Sequence, residues 1–156
     1  MTRVQLGKKE IQAINDKINA DFGVQELIGK SSAASLVDDK LVFVDNEPWF
    51  FYLNQRLVPC LKLVIKNNFL KKIVVDMGAV KFVSSGADVM RPGIVSIDES
   101  IRKGDLVAVI DQKNSVPLAV GEALFEGQEM ASMKVGKVIK SLHHIGDDIW
   151  KVTTDK

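Results

Sequence analysis

The stretch from Ile73 to Ile97, I-V-V-D-M-G-A-V-K-F-V-S-S-G-A-D-V-M-R-P-G-I-V-S-I, limits the folds open to this chain more than any other. Ile73-Val74-Val75 is a β-branched run of the composition that forms a buried strand. Asp76 is suited to cap a short helix over about 79–85, with Val80, Val83 and Phe82 turned inward. Gly86 follows, where the left-handed backbone that ends a helix costs a glycine least. A second strand then holds Val89 and Met90, Pro92-Gly93 breaks it, and Ile94-Val95-Ser96-Ile97 resumes. Strand, one-turn helix, glycine hinge and strand make a compact unit with a bare backbone corner at Ser85-Gly86-Ala87. A ribose, a phosphate or an unstacked base can approach the peptide groups of such a corner, with exposed N–H groups as donors. Lys81 and Arg91 flank it and are candidate phosphate contacts.

The run V-D-M-G-A-V-K-F-V-S-S-G-A-D-V-M-R-P-G-I closely resembles the signature of the PUA domain, the small RNA-binding domain named after pseudouridine synthases and archaeosine transglycosylases. The V-D-x-G-A opening, the V-x-x-G-A centre and the P-G-I close stand at the family's spacing. The resemblance implies an α+β chain: a small N-terminal α/β pre-PUA domain over residues 1–70, then a PUA β-pseudobarrel over 71–156. It also implies RNA contact at Lys81, Gly86, Ala87, Asp88, Met90 and Arg91, with Ser85 in the same corner.

Bulk charge does not announce a nucleic-acid partner. The 156 residues hold 21 basic and 20 acidic side chains. Residues 1–70 carry 9 and 8 of these, and residues 71–156 carry 12 and 12. RNA would therefore meet a local basic face or the backbone corner, and unstacked ends or loops are the natural targets. Cys60 is the only cysteine, which excludes an intrachain disulfide and a thiolate zinc cluster. No apolar run reaches membrane-span length and the N-terminus lacks a signal-peptide core, so a cytoplasmic protein without a membrane partner is expected.

Upstream, Leu6, Ile11, Ile14, Ile18 and Phe22 recur at helical spacing and predict a helix over 5–22 ended by Gly23. Val24 to Lys30 predicts another short helical turn. Residues 33–53 predict an antiparallel sheet with turns at Asp38-Asp39-Lys40 and at 45–48, burying two or three of Trp49, Phe50, Phe51 and Tyr52. Residues 59–70 predict a helix entered at Pro59, spanning the two halves and packing on both. Downstream, strands are expected at 106–110, at 116–121 continuing through 123–125, and as a hairpin of 138–145 with 149–152 around Gly146-Asp147-Asp148. Met130 and Met133 read as core filling in a short helix or loop over 127–136. Many short strands at even spacing suggest a small barrel.

No catalytic set stands out, and no cofactor or metal is expected. His143 and His144 are adjacent, so on a strand they face opposite ways and read as surface or partly buried residues. Cys60, inside an apolar run, reads as core. Asp147-Asp148 reads as a turn pair bonding its own backbone. The glycines lack the G-K-[ST] of a phosphate loop.

The stretch P-C-L-K-L-V-I-K-N-N-F-L leading into the signature, and the ending H-H-I-G-D-D-I-W-K-V, are similar to the family of the multiple-copies-in-T-cell-lymphoma protein and the N-terminal part of ligatin. That resemblance spans most of 57–153. It implies a non-catalytic protein of translation that binds tRNA, at its acceptor end, or rRNA of the small ribosomal subunit, with a possible protein partner similar to density-regulated protein. An accessory subunit that presents RNA to a modification enzyme is the alternative. This chain lacks that family's longer, more basic N-terminus.

Overall fold

The computed structural model describes residues 2–152; the part of the expectations that falls on 153–156 lies outside the described residues. The first half is a five-stranded antiparallel sheet in chain order: β1 (Arg3–Gln5), β2 (Ala34–Val37), β3 (Leu41–Val44), β4 (Glu47–Leu53) and β5 (Arg56–Pro59). Its hairpins close on residues that tolerate the left-handed region. Asp45-Asn46 have φ of 49° and 67°, and Asn54-Gln55 have 49° and 67°, the backbone of two-residue type I′ turns. One helix, α1 (Lys8–Phe22), crosses the sheet after β1.

The sheet is a middle layer, so its strands are apolar on both faces. All four residues of β3 are buried. Val42 and Val44 join Phe50, Leu57 and Ile18 of α1 in one core. Leu41 and Phe43 join Phe51 and Val58 in another, which continues into Leu106, Ala108, Ile110 and Val120 of the second half. The two halves thus meet through a shared hydrophobic core, and the aromatic run is divided between its two faces: Phe50 and Phe51 are both buried.

The second half contains β6 (Lys71–Val75), β7 (Val89–Met90), β8 (Ile94–Ile97), β9 (Leu106–Asp111), β10 (Pro117–Ala123) and β11 (Lys137–His144). Their order in the sheet is β7-β11-β10-β9-β6-β8, with only β6 and β9 parallel. β7 and β8 stand at opposite edges, yet a single 3-10 turn, Arg91–Gly93, joins them in the chain. Three residues span about 10 Å at most, so the edges must curl together. That is the geometric reason for the nearly closed pseudobarrel. Two short helices line its core: α3 (Met77–Val83) contributes Val83, and α4 (Gly127–Ser132) contributes the fully buried Met130.

Several expectations are corrected. Residues 3–5 are a strand, because Arg3 and Val4 pair with Val37 and Leu36 before the helix starts at Lys8. Residues 24–30 form no helix; the buried Asn15 donates to the Ile28 carbonyl and accepts the Ile28 N–H, both at 3.0 Å, and holds the segment irregular. Pro59 ends β5, and the linking helix is only α2 (Leu61–Lys66). It does pack on both halves, against β4 and β10. Residues 149–152 are not a strand: they turn back so that Trp150 stacks under Lys62, with Nζ 5.1 Å from the ring centre.

Candidate nucleic-acid interface

The Ser85-Gly86-Ala87 corner is built by the end of α3. Asp76 starts that helix, its Oδ1 accepting the Ala79 N–H at 2.9 Å. The helix ends two residues earlier than expected, and Gly86 at φ 96° turns the chain. Ser85 and Ala87 are exposed and Gly86 half-buried. The amides of this corner are not free to act as the expected donors. Ser85 and Ala87 both donate to the Phe82 carbonyl, at 3.1 and 3.0 Å, and Gly86 donates to Val83 at 3.1 Å. These amides finish the helix. The Ser85 and Gly86 carbonyls accept nothing from the described residues, so the corner presents acceptors. Hydroxyl and amino donors of a ribose or base suit it; a phosphate on the negative end of a helix does not.

Cations for phosphate come from the neighbouring elements instead. Lys81 on α3, and Lys137 and Lys140 on β11, which pairs with β7, are all exposed. Lys137 faces Asp88 Oδ2 at 3.2 Å, while Asp88 Oδ1 accepts the Ser141 N–H at 2.8 Å, which pins β7 to β11. Asp88 is therefore a brace. Arg91 is a brace as well: Nε donates to the Met130 carbonyl at 2.6 Å, and the other two nitrogens reach Ile94 and Ala131. Its guanidinium ties α4 to the 3-10 turn and has little freedom left for a phosphate. Phe82, expected inside, is 61 % exposed, and Met90 on β7 is 51 % exposed. The helix is too short to bury both flanks, and Val83 takes the inward position. The sequence reading missed Phe82, Lys137 and Lys140. For the lysines, the pairing of Lys137 with Met90 that brings them to the corner is non-local and had no local signal.

Behind the corner lies a polar cluster. A Cβ on Gly86 would sit 2.7 Å from the His144 ring, so that imidazole is the floor of the corner and only glycine fits above it. The His144 main-chain N–H donates to Asp147 Oδ2 at 2.9 Å, and the ring Nδ1 lies 3.8 Å from the same oxygen. His143 points inward and is 1 % exposed. Its Nε2 accepts the Leu61 N–H at 2.9 Å, so the proton resides on Nδ1, which donates to the Asp147 carboxylate at 2.8 Å. Trp150 N–H completes the set at 2.8 Å from Oδ1. The histidines do face opposite ways, but Asp147 in the turn reaches both, a link the adjacent-residue rule did not foresee. The turn's local bonding by Asp147 is as expected.

Electrostatics follow from this packing. Burial pushes the His143 pKa down, against the pull of Asp147. Burial pushes the Asp147 carboxyl up, but donation by Trp150, His143 and His144 outweighs it and holds the group below the usual carboxylate range. Cys60 is buried and its thiol is pushed up to about 12, first by burial and then by Asp147, so it is a core residue with no thiolate chemistry. Among the described residues no three His, Cys, Asp or Glu side chains gather as a metal site, and no helix is long and apolar enough to cross a membrane.

The PUA domain family matches residues 71–145. An uncharacterized protein of Methanocaldococcus jannaschii is 41% identical, over 95% of this chain and 94% of its own length. Translation machinery-associated protein 20 of Saccharomyces cerevisiae is 36% identical, over 85% of this chain and 79% of its own. Malignant T-cell-amplified sequence 1 of Rattus norvegicus is 30% identical, over 98% and 92%. Among solved structures, a hypothetical protein of Pyrococcus horikoshii superposes with a TM-score of 0.85 at 32% identity, over 97% of this chain and 99% of that one. A chain of an H/ACA ribonucleoprotein bound to a substrate RNA matches with a TM-score of 0.50 at 30% identity, over 62% of this chain and 29% of that one.

Proposed function

The chain belongs to the PUA-domain family of translation machinery-associated protein 20 and malignant T-cell-amplified sequence 1, and we propose from that premise that it binds RNA in translation without catalysing a reaction. The observation that carries this reading is the corner itself: a side-chain-poor turn with open carbonyls, between α3 with its exposed Lys81 and Phe82 and the β7–β11 pair with its exposed Met90, Lys137 and Lys140. Bases stack on Phe82 and Met90, ribose and base donors reach the Ser85 and Gly86 carbonyls, and phosphates lie on Lys81 and Lys140. Ser85, Gly86 and Ala87 form the contact surface; Asp88 and Arg91 hold its shape. Residues 71–156 act as the RNA-binding unit, and residues 1–70 as the unit that meets the small ribosomal subunit or a protein partner similar to density-regulated protein. The tRNA acceptor end is the target that best suits a corner open to unstacked nucleotides. Action in translation suits a cytoplasmic protein, and the relatives' names refer to the translation machinery.

A second reading, an RNA-presenting subunit of a modification enzyme, is favoured only by the likeness to the H/ACA ribonucleoprotein chain. Crosslinking in cells separates the two: small-subunit rRNA with tRNA supports the first, a modification enzyme the second. The binding test is filter retention of tRNA with and without its single-stranded 3′ end. Ala87→Asp is expected to weaken binding about tenfold or more with unchanged melting, since the position is exposed. Lys81→Ala should lower the salt slope by about one phosphate. Equal affinity for both tRNA forms, or full affinity in folded Ala87→Asp, rejects the corner as the site.

A further inference from the structure

The corner is joined to the seam between the two halves by one carboxylate. Asp147 holds His144, whose ring is the floor under Gly86, through the main-chain bond at 2.9 Å. The same carboxylate holds His143 at 2.8 Å, and His143 in turn is the acceptor of the Leu61 N–H that opens α2. Leu61 is fully buried in the core shared by both halves, so this bond lies inside the seam. We infer that Asp147 and His144 are positioning residues for RNA, and that Asp147 couples occupation of the corner to closure of the seam at Leu61. The inference rests on RNA binding at the corner.

The physical basis is that the carboxylate has one position serving both ends. With Asp147 in place, the His144 imidazole is pressed against Gly86 and the corner keeps its shape. If His143 turns away from Leu61, Asp147 loses the partner that shares its Oδ2 with His144 and the anchor of His144 loosens, so the floor falls away. RNA seated on the corner resists that movement and thereby favours the closed seam. By linkage a seam held closed must favour RNA to the same degree. The groups facing His143 are Asp147 and the adjacent His144, with the Phe51 ring edge-on at 5.3 Å; Cys60 and Lys62 flank Leu61.

The test uses the full chain and a single-stranded RNA ending in the tRNA 3′ sequence, at about pH 7.5. Amide hydrogen exchange reads Leu61, and fluorescence anisotropy reads affinity. RNA is expected to slow Leu61 exchange about fivefold or more, the lower range of measured couplings. Asp147→Asn keeps the shape but loses the charge and one acceptor; it should weaken RNA binding by a similar factor and abolish the response of Leu61. His143→Gln, whose amide can accept from Leu61 and donate to Asp147, should keep both the affinity and the Leu61 response, where His143→Ala loses them. If Asp147→Asn does not fold, His144→Ala serves, since that ring is partly exposed: free Leu61 exchange stays as in wild type, while affinity and the RNA response fall. RNA bound by the wild type with unchanged Leu61 exchange overturns the coupling and leaves the RNA reading standing. No RNA binding by the wild type removes the RNA reading, and the coupling with it.

Discussion

Acid should loosen this protein well before its carboxylates titrate, and His143 is the reason. Its ring is fully buried, accepts a main-chain N–H at Nε2, and donates at Nδ1, so a second proton has no acceptor to meet. The native pKa is lowered from the reference of 6.5. A lowered pKa means that the unfolded chain takes up protons first, so stability is whole above about pH 6.5 and is lost as the pH falls below it. At about pH 5.5 the unfolded imidazole is about 10:1 protonated, which favours unfolding by at most about 1.4 kcal/mol; at about pH 7.5 the same quantity is below about 0.1 kcal/mol. Asp147 and Asp98 also have lowered values, but their contribution disappears only below the ordinary 3.8 and leaves this window untouched. Urea unfolding at the two pH values, on wild type and His143→Gln, measures the difference. Wild type should lose about 1 kcal/mol more than the variant, with His144 common to both. Equal losses would refute a neutral, buried His143 as the acceptor of Leu61.

Two further outcomes test how α4 is held. Arg91→Ala removes donors from three carbonyls and should cost about 1–2 kcal/mol in urea, while the salt slope of RNA binding stays as in wild type; a slope reduced by one phosphate would return Arg91 to the contact surface. Gly127→Ala would drive a Cβ to 2.6 Å from the Asp98 carbonyl and 2.9 Å from Glu99 Cα, both main chain and unable to step aside. About 2 kcal/mol, read as a fall of about 4–8 °C in Tm, is expected; an unchanged Tm would show that α4 is not held against that loop.

Much of the scaffold was legible because its cause is local. Asp76 three residues before Ala79, Gly86 past the helix end, Pro92-Gly93 between two apolar runs, and Asp or Asn in the hairpin turns each act within a few residues, and each stands where its chemistry predicts. The alternation that divides Phe50 and Phe51 between two cores is equally a property of the strand alone. The errors fall where tertiary contact outweighed local preference. Residues 24–30 lost their helix to a buried Asn15, residues 149–152 lost their strand to packing of Trp150 on Lys62, and Phe82 was left outside because Val83 filled the barrel.

By itself, the order of residues determined where the chain turns, which short runs become strands, and that a glycine-cornered unit stands between Ile73 and Ile97. Only the closed structure decided what that corner offers. Its amides are consumed by the helix they end, Lys137 and Lys140 arrive from β11, and its floor is an imidazole tied through Asp147 to an amide 82 residues earlier than His143. Turns and caps are settled by neighbours in the chain, whereas a hydrogen-bond partner for a buried polar group is settled by whatever folding brings beside it.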